Sequence, residues 1–238
     1  MWPFSTKRSL EEAGILRGWT DWHSHILPGV DDGIRTQEQS LKVLAFYAEA
    51  GVTDVWLTPH VMEDIPNTPA ALKERFSVLK SAYAGPVRLH LAAEHMLDNL
   101  FLERFEAGEL LPLGPEGKHL LVETSYFNPP MDLWDILERI CARGLQPVLA
   151  HPERYVYMEE KDYRRLKEMR VLFQLNLLSL AGLYGPGAAR RAEILLEAGM
   201  YDLCGSDLHR LGAVREALAA RVLKKKTVQA LLQIPNTL

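Results

Sequence analysis

Histidines and carboxylates recur along this chain at spacings that suit a cation. The run Asp21-Trp22-His23-Ser24-His25 sets two imidazoles two residues apart, and on extended backbone such residues point to one side. Thr58-Pro59-His60, Ala93-Glu94, Glu123, Ala150-His151 and Ser206-Asp207-Leu208-His209 follow. Singly these are weak: most His-x-His pairs are structural, and a strand-end glutamate serves equally well as a helix cap. Together they offer imidazole and carboxylate without thiolate, which favours Mn, Fe or Zn over Mg. About five imidazoles and four carboxylates are too many for one ion, so two or three divalent cations are expected. Such a cluster lowers the pKa of a bridging water toward about 7 and clamps both oxygens of an in-line displacement, which suits phosphoester hydrolysis.

The elements that must position these groups alternate. Buried-type apolar runs at Thr20–His23, Asp54–Thr58, Val87–Ala92, His119–Glu123, Pro147–Ala150, Val171–Asn176 and Tyr201–Gly205 read as strands. Helices fall between them. Thr36 and Gln39 form a capping box ahead of a stripe of Leu41, Leu44, Ala45 and Ala48, and Gly51 ends that helix. Thr68-Pro69 opens the next, and others are expected at Asn99–Glu106, Leu133–Arg143, Lys161–Met169 and Gly187–Ala198. Alternation of this kind implies parallel βα units, either closed into a barrel of about seven strands or doubly wound. Six of the seven strands deliver His, Asp or Glu at the C-terminal end, the rim where βα barrels keep their chemistry. His90, His95 and His119 lie inside or at the start of strands, or beside Glu94, and read as structural.

Composition narrows the class. The 238 residues are 47% hydrophobic and 24% charged, enough for one well-filled domain. A net charge of −4 disfavours a nucleic-acid binder. Two cysteines, Cys141 and Cys204, leave no disulfide framework and point to a reducing, cytoplasmic setting. No apolar run is long enough to span a membrane, and the start of the chain lacks the apolar core of a secretory signal.

The ordered set Asp21-x-His23-x-His25, Asp31-Asp32-Gly33, Thr58-Pro59-His60, Glu94, Glu123, His151-Pro152-Glu153-Arg154 and Ser206-Asp207-x-His209 resembles the PHP (polymerase and histidinol phosphatase) superfamily. Within it, the chain is most similar to the bacterial metal-dependent protein-tyrosine phosphatases of capsular and exopolysaccharide gene clusters, over about Trp19 to Arg210. The resemblance implies a distorted seven-stranded, TIM-like βα barrel over residues 19–238, preceded by an extension at 1–18 that has no counterpart in the minimal pattern. It implies three metals, manganese preferred, held by His23, His25, Asp32, His60, Glu94, Glu123, His151, Asp207 and His209, with Asp31 in support. Arg154 takes the phosphate-contacting role beside the catalytic Asp207 and His209. A second phosphate-binding arginine is Arg210 or Arg215, since neither stands where relatives often place it. The substrate implied is phosphotyrosine on the tail of a membrane-anchored tyrosine kinase, attacked in line by a metal hydroxide.

Met62–Thr68 and Tyr126–Met131, apolar and aromatic beside the rim, are candidates to hold the substrate ring. Other readings are a small-molecule phosphatase of the histidinol-phosphate type, a nuclease, or a metal-stabilised adaptor without turnover. Cys204 to Arg210 also satisfies the Cys-x5-Arg spacing of thiol phosphatases, but Asp207 there would repel both thiolate and phosphate.

Overall fold

A computed structural model describes residues 7–238. The apolar runs form strands β1 (Thr20–Ser24), β2 (Asp54–Leu57), β3 (His60–Val61), β4 (Arg88–Leu91), β5 (Glu94–Met96), β6 (His119–Glu123), β7 (Gln146–Ala150), β8 (Leu172–Asn176) and β9 (Leu203–Gly205). All pair in parallel, in the orders β1-β2-β4 and β3-β5-β6-β7-β8-β9. The result is an α/β fold with a curled parallel sheet.

Two seams matter for the site. Asp54 pairs with Arg88, Leu57 with Leu91 and His60 with Glu94, so the register offset is unchanged across the gap between β2-β4 and β3-β5. Pro59 has no amide to donate there, and the Ala93 amide turns away to the Leu111 carbonyl at 3.1 Å. At the other seam, just past β9, the Asp207 amide donates to the His23 carbonyl (2.8 Å) and the His25 amide to the Leu208 carbonyl (3.0 Å). Asn236 ties the same two strands together at their N-terminal ends. Its side chain accepts from the Cys204 amide (2.8 Å) and donates to the Thr20 carbonyl (3.0 Å), while its own carbonyl accepts from the Trp22 indole (3.0 Å).

Helices α1 (Gln37–Ala50), α2 (Pro69–Ala82), α3 (Phe101–Glu106), α4 (Leu133–Ala142), α5 (Glu160–Glu168), α6 (Leu177–Leu180), α7 (Gly185–Glu197), α8 (Leu211–Ala219) and α9 (Lys225–Leu231) complete the chain. The Thr36–Gln39 capping box and the left-handed Gly51 bound α1 as expected. Its buried residues are Ser40, Val43, Leu44 and Tyr47; of the expected stripe Leu44 is buried, Leu41 and Ala48 pack against the core while partly buried, and Ala45 is exposed. Tyr47 joins this face through a polar contact: its hydroxyl donates to the buried Asp21 at 2.6 Å. Helices α6, α8 and α9 were not expected. Residues 1–6 of the extension lie outside the described residues. The rest is packed in: Leu10 is fully buried, and Arg8 and Leu223 exchange backbone hydrogen bonds at 2.8 and 3.0 Å.

Period-two alternation divides the sheet's two faces. Val122, Leu149, Phe173 and Cys204 join the core that packs the helices, whereas Leu121, Val148, Ala150 and Leu203 cluster with Trp22 and Trp56 on the inner face. That inner face changes character along each strand. Leu121 gives way to Glu123 on β6, and Leu172 to Gln174 and Asn176 on β8.

Candidate metal centre

At the C-terminal ends of the strands the nine expected ligands converge. They form overlapping groups whose donor atoms lie within 4.8 Å of one another: His23, His25 and Asp207; His23, Glu94 and His151; His60, Glu94 and Glu123; and His25, Asp32, His60 and His209. Glu94 is central. Its Oε2 lies 3.2 Å from His23 Nε2, 3.4 Å from His25 Nε2 and 3.1 Å from His60 Nδ1, and its Oε1 lies 3.0 Å from His151 Nε2.

The donor spacing fits cations. Metal–ligand bonds of about 2.1 Å at tetrahedral or octahedral angles set neighbouring donors about 3.0–3.4 Å apart. His23 Nε2 and His25 Nε2 are 3.1 Å apart, and Asp207 Oδ1 lies 3.5 and 3.2 Å from them. Several of these close pairs are not hydrogen bonds. His60 Nδ1, Glu94 Oε2 and Glu123 Oε1 are buried without a hydrogen-bond partner, although His60 Nδ1 is 2.9 Å from Glu123 Oε1. Close but misaligned donors are aimed at a shared point rather than at each other.

Supporting groups fix the aim. Gln174 Oε1 lies 2.6 Å from His23 Nδ1, and the Gln174 amide donates to the Trp22 carbonyl at 3.2 Å. Asp31 Oδ2 lies 2.8 Å from His25 Nδ1 and accepts from the His60 amide at 3.1 Å. His209 Nδ1 lies 2.9 Å from the Asp207 carbonyl. In each case one ring nitrogen is committed and the other is left for a cation. An irregularity in the β1 register between Asp21 and Ser24 frees the alternation, so that Trp22 and His23 both serve the inner face.

Backbone features concentrate here too. Of the four non-glycine residues at positive φ among the described residues, His151 and Asp207, at 35° and 51°, belong to the cluster, and Arg170 and Asn236 lie elsewhere. A Cβ on Gly33 would come within 2.4 Å of the His25 Cβ, and one on Gly205 within 2.4 Å of the His23 Cβ. Both glycines let neighbouring chain pass directly against a histidine.

Electrostatics reflect the crowding. Burial and His25 lower His60, but Glu94 and Glu123 outweigh them and push it up to about 10. Burial would raise Asp207, yet His23, His25 and His209 hold it well below the usual carboxylate range. Cations binding here replace protons on imidazole. His95 is different: burial pushes it down to about 4, and its Nε2 faces the Leu111 amide at 3.4 Å.

Arg154 sits at the wall of a cleft of about 380 Å³ that also contains Tyr126, Tyr184 and Arg210. Its guanidinium donates to Asp207 Oδ2 at 2.7 Å and lies between the rings of Tyr126 (4.3 Å) and Tyr184 (4.0 Å). Arg215 is not part of this cleft. It follows Arg210 by five residues, which on a helix rotates it to another face, and its guanidinium lies 4.9 Å from the Phe46 ring. Of the expected ring-holding segments, Tyr126 lines the cleft and Met62–Thr68 does not. Asn67 is engaged instead in bonds to the Val30 and His60 carbonyls, both 2.9 Å. Cys204 is buried, and burial raises its thiol well above the ordinary range, an environment that disfavours the thiolate a Cys-x5-Arg mechanism needs.

Residues 19–233 match the family model described as capsular polysaccharide synthesis, CpsB/CapC. The chain belongs to the CpsB/CapC family. Tyrosine-protein phosphatase CpsB of Streptococcus pneumoniae is 30% identical over 202 residues, covering 80% of this chain and 83% of that protein. Tyrosine-protein phosphatase YwqE of Bacillus subtilis is 27% identical over 197 residues, covering 80% and 77%. Among solved structures, a chain from the work on YwqE and CpsB as metal-dependent tyrosine phosphatases superposes with a TM-score of 0.76 at 24% identity, covering 90% of this chain and 86% of the other. That likeness is one of fold.

This CpsB/CapC chain also uses residues that ligand-type counting passes over. The single expected strand without a His, Asp or Glu at its end is β8, and it supplies neutral amides. Besides Gln174, Asn176 Nδ2 donates to Asp207 Oδ2 at 2.8 Å, and the Tyr184 hydroxyl donates to the same oxygen at 3.2 Å. Glu153 is fully buried, accepting from the Asn176 amide (3.1 Å) and the Tyr201 hydroxyl (2.9 Å), and it anchors the turn that carries His151 and Arg154. Alternating buried amides on β8 were the available signal.

Proposed function

We propose that this protein is a metal-dependent phosphatase that hydrolyses phosphotyrosine on a protein, the tail of a membrane-anchored tyrosine kinase of capsule or exopolysaccharide synthesis. The observation that carries the reading is the convergence of nine ligand-type side chains about Glu94, with Arg154 beside them at the cleft wall. Tyrosine phosphatases among the relatives supply the substrate class. Two or three divalent cations, manganese preferred, would be held by His23, His25, Asp32, His60, Glu94, Glu123, His151, Asp207 and His209. When bound, they supply Lewis acidity and lower the pKa of water.

The chain's own groups do the remainder. Arg154 and Arg210 bind the phosphoryl oxygens, and Tyr126 and Tyr184 hold the Arg154 fork flat. Asp207 plays two parts, offering Oδ1 to the cluster while Oδ2 accepts from Arg154, Asn176 and Tyr184. A tyrosine phenolate, with a pKa of about 10, leaves with less acid assistance than an alkoxide needs.

The same reading takes the curled sheet as a distorted seven-stave barrel in one domain over residues 19–238 of a cytoplasmic protein. Constant register across β2-β3 and β4-β5 makes each pair one kinked stave, and the Asp207–His23 bond joins the last stave to the first. The test is phosphate release from a phosphotyrosine peptide. Exhaustive chelation should abolish it and added manganese restore it, whereas activity that survives chelation sinks the mechanism. Preferred turnover of histidinol phosphate or single-stranded DNA would reassign the substrate.

A further inference from the structure

The cleft beside Arg154 has an apolar side. Leu178, Leu183, Tyr184 and Val214 line it together with the cation-binding groups. Leu183 is 44% exposed, an unusual setting for a large aliphatic side chain beside a polar cluster. It sits in a turn between α6 and α7 whose shape is built in. Gly182 and Gly185 both adopt φ 84°, the left-handed region open to glycine. The Leu183 amide donates to the Leu178 carbonyl (3.2 Å) and the Gly185 amide to the Gly182 carbonyl (3.0 Å). Tyr184 is held at both ends, by its hydroxyl on Asp207 and its ring on Arg154.

We infer that Leu183, with Tyr184 and Val214, forms the subsite that receives the aromatic ring of the leaving group, so that this cleft selects aryl over alkyl phosphate monoesters. The inference rests on the phosphatase reading above and adds which residues read the leaving group. A phosphoryl group seated between the cluster and Arg154 directs its ester oxygen into the cleft. An aryl ester then carries a ring against the apolar wall and sheds water from both surfaces. In a phosphoserine peptide a single carbon separates the ester oxygen from the backbone. To reach the wall, it would have to draw peptide N–H and C=O groups out of water without partners.

The test uses manganese-loaded full-length protein and two non-hydrolysable probes, phenylphosphonate and methylphosphonate, with binding measured by calorimetry. Wild type should prefer phenylphosphonate. Leu183→Ala should weaken phenylphosphonate about five- to tenfold and methylphosphonate by less than about twofold, a contrast set by the apolar contact removed. Leu183→Met, similar in volume, should restore the preference. On a phosphotyrosine peptide, Leu183→Ala should act mainly through KM. Equal binding of the two probes by wild type overturns the inference, and so does an equal loss of both in Leu183→Ala. Wild type that turns over neither phosphotyrosine nor phosphoserine peptides overturns the phosphatase reading, and the subsite with it.

Discussion

At the scale of single residues the geometry of the cluster depends on side chains outside the nine candidate donors. Asp31 shows this most clearly. It lies beside the more exposed Asp32, yet its two oxygens take His25 Nδ1, the His60 amide and the Gly33 amide. Asp32 Oδ1 meanwhile faces His209 Nε2 at 3.2 Å. Adjacent carboxylates thus divide the work, one orienting imidazole and the other completing a donor group. Asp31→Asn keeps the shape but cannot accept on both sides in the same way. It should lower manganese affinity about 10–100-fold, as loss of an orienting carboxylate does, and competition against a fluorescent chelator measures it. Asp32→Asn should spare the groups centred on Glu94 and remove one ion's worth of stoichiometry by metal analysis. Equal losses in the two variants would mean the aspartates are not divided in this way.

At the scale of elements, close passage of strands sets the donor geometry. β9 runs so near β1 that Gly205 has no room for a methyl group beside the His23 Cβ. Gly205→Ala should cost about 1–3 kcal/mol, the usual penalty for overpacking, read as a lower urea midpoint, and should displace His23 enough to weaken metal binding. This scale also shows what was legible in the amino-acid order. Strand positions and the convergence of strand-end His, Asp and Glu could be read because parallel buried strands are continuous apolar runs, and their C-terminal ends share a rim. The break after Leu57 could not, since Thr58-Pro59 reads as a strand end while the chain resumes pairing at His60 in the same register. Of the α1 stripe, Leu41, Leu44 and Ala48 pack toward the core as read, while Ala45 is exposed and the buried polar contact of Tyr47 with Asp21 gave no periodic signal. The roles of Gln174 and Asn176 were hidden for a related reason: a neutral amide acts through the neighbour it orients, and neighbours across the sheet are not written in sequence spacing. Arg215 was a matter of helical phase, which could not be read before α8 was known to begin at Leu211.

At the scale of the whole molecule, the cluster and the far end of the sheet guard the same seam. Asn236 joins the N-terminal ends of β1 and β9 through Thr20 and Cys204, and Asp21 binds Ser206 through its hydroxyl (2.6 Å) and amide (2.8 Å) midway along. His23, His25 and Asp207 meet at the C-terminal end. Cations bound there would add a further fastening between the first and last strands. Binding to the folded state alone stabilises it by RT ln(1 + [L]/Kd), about 2.7 kcal/mol at a hundredfold excess over Kd. Manganese should therefore raise the melting temperature of wild type. Asn236→Ala should lower it by leaving the Cys204 amide and Thr20 carbonyl short of a partner, at about 1–3 kcal/mol, yet keep the full manganese increment because the cluster is untouched. Glu94→Gln should differ in the manganese increment. Its amide cannot serve four imidazoles from three strands as the carboxylate does, so the manganese increment should largely vanish. Without metal, the same replacement removes the carboxylate that His23, His60 and His151 hold charged, so the metal-free melting temperature should fall as well. Scanning calorimetry of the three proteins with manganese and with chelator separates these effects. An undiminished increment in Glu94→Gln would remove Glu94 from the centre of the site.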